Sequence, residues 1–97
     1  MKVRYTAAAH AEITEIHTYI ARDNRSAADR VINQIEHTIE LIEKSPRIGR
    51  LKYQQSVYMV PVRRYPQYLL FDTIEGNEIV VLNVRHGARR RPWEDDD

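Results

Sequence analysis

Arginines, one histidine and two tyrosines set the chemistry this chain could perform. Arg63, Arg64 and Tyr65 are consecutive and Tyr68 follows closely; Arg85 and His86 are adjacent, with Arg89, Arg90 and Arg91 just beyond. A guanidinium is a planar fork that grips phosphate or carboxylate through paired hydrogen bonds, where lysine offers a point charge. A histidine, with an unperturbed pKa of about 6.5, can serve as a general base. Aromatic rings stack nucleobases. Together these residues could cleave RNA without a metal by stabilising charge at phosphorus. They could equally dock an acidic macromolecule. Each also has a plain reading, a solvated basic edge and a histidine that merely holds the last turn.

The 97 residues are 42% apolar and 30% charged, with no cysteine. That is a globular composition of single-domain size, and it excludes disulfides and thiolate zinc sites. No apolar run approaches the roughly 18–20 residues that span a bilayer. The opening MKVRYTAAAH lacks the apolar core of a secretion signal, so a cytoplasmic protein with no membrane partner is expected. The net charge of +1 hides an asymmetry: residues 1–43 carry −2, residues 44–93 carry +7 and residues 94–97 carry −4. Residues 1–93 are expected to form one domain and the EDDD at 94–97 a disordered acidic tail.

Those side chains need elements to hold them. KVRY at 2–5 alternates and is β-prone. Thr6 offers a hydroxyl for a helix start. Ala9, Ile13, Ile16 and Ile20 then recur at helical spacing, predicting a helix from Ala7 to about Arg22. Asp23-Asn24 interrupts it, asparagine tolerating a left-handed cap. Ser26, with Asp29 three residues on, is expected to cap a second helix to about Lys44. Its apolar side is Ala28, Val31, Ile32, Ile35, Ile39 and Ile42. The short link forces an antiparallel hairpin, and two striped helices need a sheet beneath them. Pro46 and Gly49 end the second helix. Three β-type runs follow at 57–64, 67–74 and 78–85, separated by Tyr65-Pro66 and Glu75-Gly76-Asn77, links that make antiparallel hairpins. Pro61 puts the first of these at a sheet edge or at a bulge. Ile79 to Leu82, apolar on both faces, makes the last central. The expected class is α+β in the order β-α-α-β-β-β, an antiparallel sheet with an N-terminal helical hairpin packed on one face.

In such a meander the strands ending at Arg64 and Arg85 run in the same direction, so their C-terminal ends share one end of the sheet. That gathers Arg63, Arg64, Tyr65, Tyr68, Arg85 and His86, with Arg89, Arg90 and Arg91 close by, into one cationic, aromatic patch. Strict alternation sets His86 with Val80, Leu82 and Val84, and Arg85 with Ile79, Val81 and Asn83 on the opposite face. Gly87 lets the chain turn away. His10 and His17 share a helix face but lie roughly 10 Å apart along the axis, too far for one ion. With three glycines there is no phosphate-cradling loop, and no metal or cofactor is expected.

The segments YIARDNRSAADRVINQI, SPRIGR, VRRYPQYLLFD and VLNVRHGARRRP, in this order and at these separations, carry a resemblance. Across residues 2–92 the sequence resembles the ParE branch of the RelE/ParE toxin superfamily. The resemblance implies a toxin of a type II toxin–antitoxin pair, without a cofactor, blocked by a small ParD-like antitoxin whose C-terminal segment folds against it. It also implies two competing targets. ParE-like members act on DNA gyrase and stall it on DNA; RelE-like members cut mRNA on the ribosome with arginines or lysines and a histidine or tyrosine. RelE-like nucleases usually carry an arginine inside the middle strand of the meander, where this chain has Tyr68, and Lys52 stands alone in the preceding loop. That favours gyrase and a protein that is not an enzyme. In the nuclease alternative His86 would be the base and Arg63 or Arg64 the phosphate clamp, beside Arg85. The antitoxin would need an apolar groove along the helical hairpin and an exposed sheet edge. Tyr19, Tyr58 and Trp93, with Tyr5 and Tyr53, are candidate contacts there.

Overall fold

The computed structural model describes residues 1–45 and 50–87, apart from the side chain of Gln54. Along the chain run β1 (Lys2–Tyr5), α1 (Ala7–Ala21), α2 (Arg25–Lys44), β2 (Leu51–Gln54), β3 (Val57–Val62), β4 (Tyr65–Glu75) and β5 (Glu78–His86). The strands form one sheet in the order β1-β5-β4-β3-β2. The expected α+β class, a helical hairpin on a sheet, is the one observed. Two details differ. β1 joins β5 in parallel, from Lys2↔Glu78 to Tyr5↔Val81, so the sheet is mixed. LKYQ, too short and too polar to stand out from its loop, forms β2 and pairs antiparallel with β3 across a bulge between Lys52 and Gln54. Lys52 is therefore a strand residue. With β2 outside it, β3 is not an edge; Pro61 instead sits at the register break between Pro61 and Val62, where a missing N–H is tolerated. β5 is interior, and β4 is the middle strand.

Each helix starts on a side-chain cap. Thr6 Oγ1 accepts from the Ala9 N–H at 3.0 Å. Asn24, not Ser26, caps α2: its Oδ1 accepts from the Ala27 N–H at 3.0 Å. Its backbone is extended rather than left-handed, as an N-cap requires. Asp29 is thereby released from any capping role and meets His17 of α1, Oδ1 to Nε2 at 2.8 Å, tying the helices together.

The core takes Ala9 and Ile16 from α1, and Val31, Ile35, Ile39 and Ile42 from α2. From the sheet it takes Val60, Val62, Tyr68, Leu70, Ile79, Val81 and Val84. Ile13, Ile20 and Ile32 pack against it, so the helical stripes read from the sequence are the buried faces. Burial of each large aliphatic side chain contributes roughly 1.5–3 kcal/mol. The pairing passes from Phe71↔Asn83 to Asp72↔Val81, leaving Leu82 as an extra residue in β5. The bulge shifts the alternation by one, so Ile79, Val81 and Val84 all reach the helix-facing core. Grouping Val80 and Leu82 with Val84 and His86, as strict alternation does, is therefore wrong. Thr6 stabilises this irregularity, since its hydroxyl donates to the Leu82 carbonyl at 2.8 Å. Thr6→Ala loses cap and bulge anchor together and should cost about 1–2 kcal/mol in urea unfolding, with Thr6→Ser near wild type.

Candidate functional site

β3 and β5 each pair antiparallel with β4, which lies between them, so they run in the same direction. Their C-terminal ends and the start of β4 fall at one end of the sheet. Arg63 and Arg64 form the β3–β4 turn itself, and Tyr65 already pairs with Val62. The turn comes earlier than the Tyr65-Pro66 link suggested because Arg64 adopts a left-handed backbone, φ 70°. Both arginines are exposed. The turn is anchored: the Arg63 N–H donates to Thr38 Oγ1 of α2 at 3.0 Å. That hydroxyl donates in turn to the Gln34 carbonyl at 2.7 Å.

At the end of β5, His86 lies opposite Tyr68 with their rings edge to face, centroids 5.1 Å apart. Tyr68 is a core residue and not an exposed stacking surface; its ring supports the half-buried imidazole. Gly87 does not use a left-handed backbone to turn the chain. Its hydrogen serves a close approach: the Gly87 N–H donates to the Gln67 carbonyl at 2.6 Å, and a Cβ there would stand 3.3 Å from that oxygen.

Arg85 has a partner that sequence reasoning missed. Its Nε lies 2.6 Å from Glu12 Oε2 of α1, the two side chains being 31% and 16% exposed. Glu12 Oε1 accepts from Asn83 Nδ2 at 3.1 Å and from the Val84 N–H at 3.0 Å. The cause is the shortness of β1, whose pairing stops at Tyr5↔Val81. Beyond that point no strand among the described residues borders β5 on this side, and Thr6 and Glu12 satisfy its exposed backbone. Nothing in the helical spacing of α1 marks Glu12 out from its other acidic positions. Glu12, Glu15, Arg85 and His86 line a cavity of about 300 Å³ between α1 and the end of β5. Arg64 and Tyr65 line a different cavity, about 170 Å³, with Arg30, Asn33 and Gln34 of α2. The described residues of the predicted patch thus share one end of the sheet, but Arg85 and His86 open on one cavity and Arg64 and Tyr65 on another. Arg89, Arg90, Arg91, Trp93 and the acidic tail at 94–97 lie outside the described residues.

A further cluster lies where β2, β3 and β4 adjoin. Arg50 is ion-paired with Asp72, their side chains 4% and 0% exposed. The Arg50 guanidinium carbon stands 4.1 Å from the centre of the Tyr58 ring, and Tyr53 meets Phe71 edge-on at 6.3 Å. Burial pushes the Asp72 carboxyl above its ordinary range, while Arg50 draws it back by a smaller amount. Tyr58 and Tyr53 are thus engaged internally, whereas Tyr19 is 60% and Tyr5 40% exposed. Burial, with Glu36 and Glu40 behind it, raises the Tyr5 phenol. Among the described residues no helix is long and apolar enough to cross a membrane.

Residues 3–91 match the profile of a family described as the ParE toxin of type II toxin-antitoxin system, parDE. No curated protein matches the sequence. Among solved structures, the fold is similar to the chromosomal ParDE TA system from P. aeruginosa: TM-score 0.76 at 18% identity, covering 89% of this chain and 95% of that one. It is also similar to the YoeB/ParE toxin from Agrobacterium tumefaciens, TM-score 0.67 at 13% identity, over 89% of this chain and 98% of that one. The YoeB dimer from Staphylococcus aureus matches with TM-score 0.62 at 14% identity, over 89% of this chain and 95% of that one. At these identities the structural likeness speaks for the fold alone.

Proposed function

We propose that this chain, which belongs to the ParE family of type II toxin–antitoxin toxins, inhibits DNA gyrase in the cytoplasm and is neutralised by a cognate, ParD-like antitoxin. The observation that carries the choice of target is the pairing of Arg85 with Glu12. A metal-free nuclease must meet the growing negative charge of a pentacovalent phosphate with fixed, uncommitted cations. Here the guanidinium beside the only histidine of the patch is held by a carboxylate, and Glu15 adds a second acid to the same cavity. Tyr68, at the strand position where the nuclease branch usually places an arginine, is in the core. Among the described residues, Arg63 and Arg64 remain outward on an anchored turn, a surface suited to docking rather than to proton transfer. The antitoxin segment would fold onto the helical hairpin, where exposed Tyr19 offers an apolar contact.

The purified chain should block gyrase supercoiling and accumulate cleaved DNA while leaving a translation mixture intact. The nuclease alternative keeps one observation in its favour, the adjacency of Arg85 and His86 on a single cavity. It requires cut mRNA in the translation mixture, falling by roughly 100-fold or more in His86→Ala or Arg64→Ala. Cut message with gyrase untouched would reverse the assignment.

A further inference from the structure

The cavity between α2 and the β3–β4 turn takes Arg64 and Tyr65 from the patch above, but its α2 wall, Arg30, Asn33 and Gln34, belongs to neither reading. Arg30, Asn33 and Gln34 form one wall, and Arg64 and Tyr65 the other. Among the described residues no acidic side chain lines it. Arg4, Arg50 and Arg85 each meet a carboxylate, whereas Arg30 and Arg64 have no such partner among the described residues. Two like charges converging on one cavity repel, and an anion between them removes that repulsion.

The turn that presents Arg64 is not optimised for its own sake. At φ 70° a side chain other than glycine or asparagine carries a cost of roughly 1–2 kcal/mol. The conformation is held because the Arg63 N–H is tied to Thr38 on the same helix that carries Arg30. The backbone of Arg64 is thus fixed relative to α2, which sets where its side chain starts. At about 170 Å³ the cleft is smaller than the roughly 300–1,000 Å³ of pockets that enclose a drug-sized molecule. It suits a single small group. A carboxylate has two coplanar oxygens that one guanidinium satisfies. A tetrahedral phosphate directs oxygens towards both walls, and both walls here carry donors.

We infer that Arg30 of α2 and Arg64 of the β3–β4 turn form a phosphate-binding subsite that takes one phosphodiester of a nucleic-acid backbone, flanked by Asn33, Gln34 and Tyr65. The choice of nucleic acid as the phosphate source rests on the proposed function only in that both target readings place the protein beside a nucleic acid. The subsite positions a strand by its backbone and reads no base.

The test uses the full chain. Anisotropy of a labelled short DNA duplex is measured against salt, and backbone amide spectra are titrated with inorganic phosphate, with the duplex and with a glutamate-rich peptide. Arg30→Gln and Arg64→Asn should each weaken duplex binding about 3–10-fold at low salt, and the double variant should lower the salt slope by about 0.9, the one phosphate the two arginines share. Asparagine is chosen at 64 because it accepts a left-handed backbone, and Arg30 is exposed on a helix, so neither change threatens the fold. Lys2→Gln, at the opposite end of the sheet, should bind as wild type. Phosphate and duplex should both shift the amides of 30–34 and 63–65. Wild-type binding by both arginine variants overturns the inference. So does a site that takes inorganic phosphate but no duplex, or one the acidic peptide fills in preference to both. Supercoiling assays on the same proteins separate the two proposals. A chain that leaves gyrase alone yet loses duplex affinity in both variants fails the function and keeps the subsite. A gyrase inhibitor whose variants bind duplex unchanged does the reverse.

Discussion

Arg50→Ala should lower the unfolding free energy by about 3–5 kcal/mol, the largest effect of any single substitution proposed for this protein. The pair it breaks is almost wholly out of water, with Asp72 0% exposed. Removing the guanidinium strands a carboxylate that has no solvent to turn to, and it also empties the face of the Tyr58 ring. Against a total stability on the order of 5–15 kcal/mol for a domain of this kind, urea unfolding should show a variant close to the edge of folding. Replacing both partners, Arg50→Met with Asp72→Leu, should restore most of the loss, because two apolar side chains need no compensation. A double variant as unstable as the single one would mean that the pair supplies something beyond mutual neutralisation.

The same pair predicts a pH dependence of definite sign. Burial outweighs Arg50 and raises the Asp72 carboxyl above its ordinary value of 3.8. The folded state therefore holds this proton more tightly than the unfolded state between that value and the raised one. Where the folded state binds more protons, stability falls as pH rises. Relative to Asp72→Asn, which cannot titrate, the wild-type protein should lose stability on going from acid upwards through that window. A difference between the two proteins that is flat across pH would show that Arg50 cancels burial, and one that grows in the other direction would show that Arg50 wins the competition.

Glu12→Ala is the second large effect, about 2–4 kcal/mol. One carboxylate holds the Arg85 guanidinium, the Asn83 amide and the Val84 N–H, so its loss leaves three donors unanswered at the open side of β5. Glu12→Gln keeps a carbonyl oxygen for the Val84 N–H and gives up the ion pair, which at this partial exposure is worth about 1 kcal/mol or less. Amide hydrogen exchange distinguishes the two contributions. Val84 should lose protection in the alanine variant and keep it in the glutamine variant, while Leu70 in β4 changes little. Unaltered protection at Val84 in Glu12→Ala would mean that the strand end does not depend on α1.

Much of the fold was legible because its signals are local. Ala9, Ile13, Ile16 and Ile20 mark a helix by spacing alone, and so does the stripe from Val31 to Ile42; both stripes are the faces that meet the sheet. Pro61 announced a break in the ladder, and the break is there. β2 escaped because four residues pairing with an irregular register carry no periodic signature. The bulge at Leu82 escaped for a related reason: an apolar run reads the same with or without an extra residue, and only pairing with β4 shows that the phase has changed.

The antiparallel course of the three meander strands, the existence of two amphipathic helices and the arginine-rich character of one end of the sheet follow from the order of residue types, whereas the parallel pairing of β1 with β5 does not. They depend on periodicity and on short links, which act between neighbours in the chain. Which charges remain available was decided by tertiary structure alone. Arg85 looks like Arg64 in sequence, yet one is held by Glu12 across 73 positions of chain and the other lines a cavity with Arg30 and meets no carboxylate among the described residues. An ion pair forms wherever packing brings opposite charges within a few ångströms, and sequence separation exerts no force on that distance.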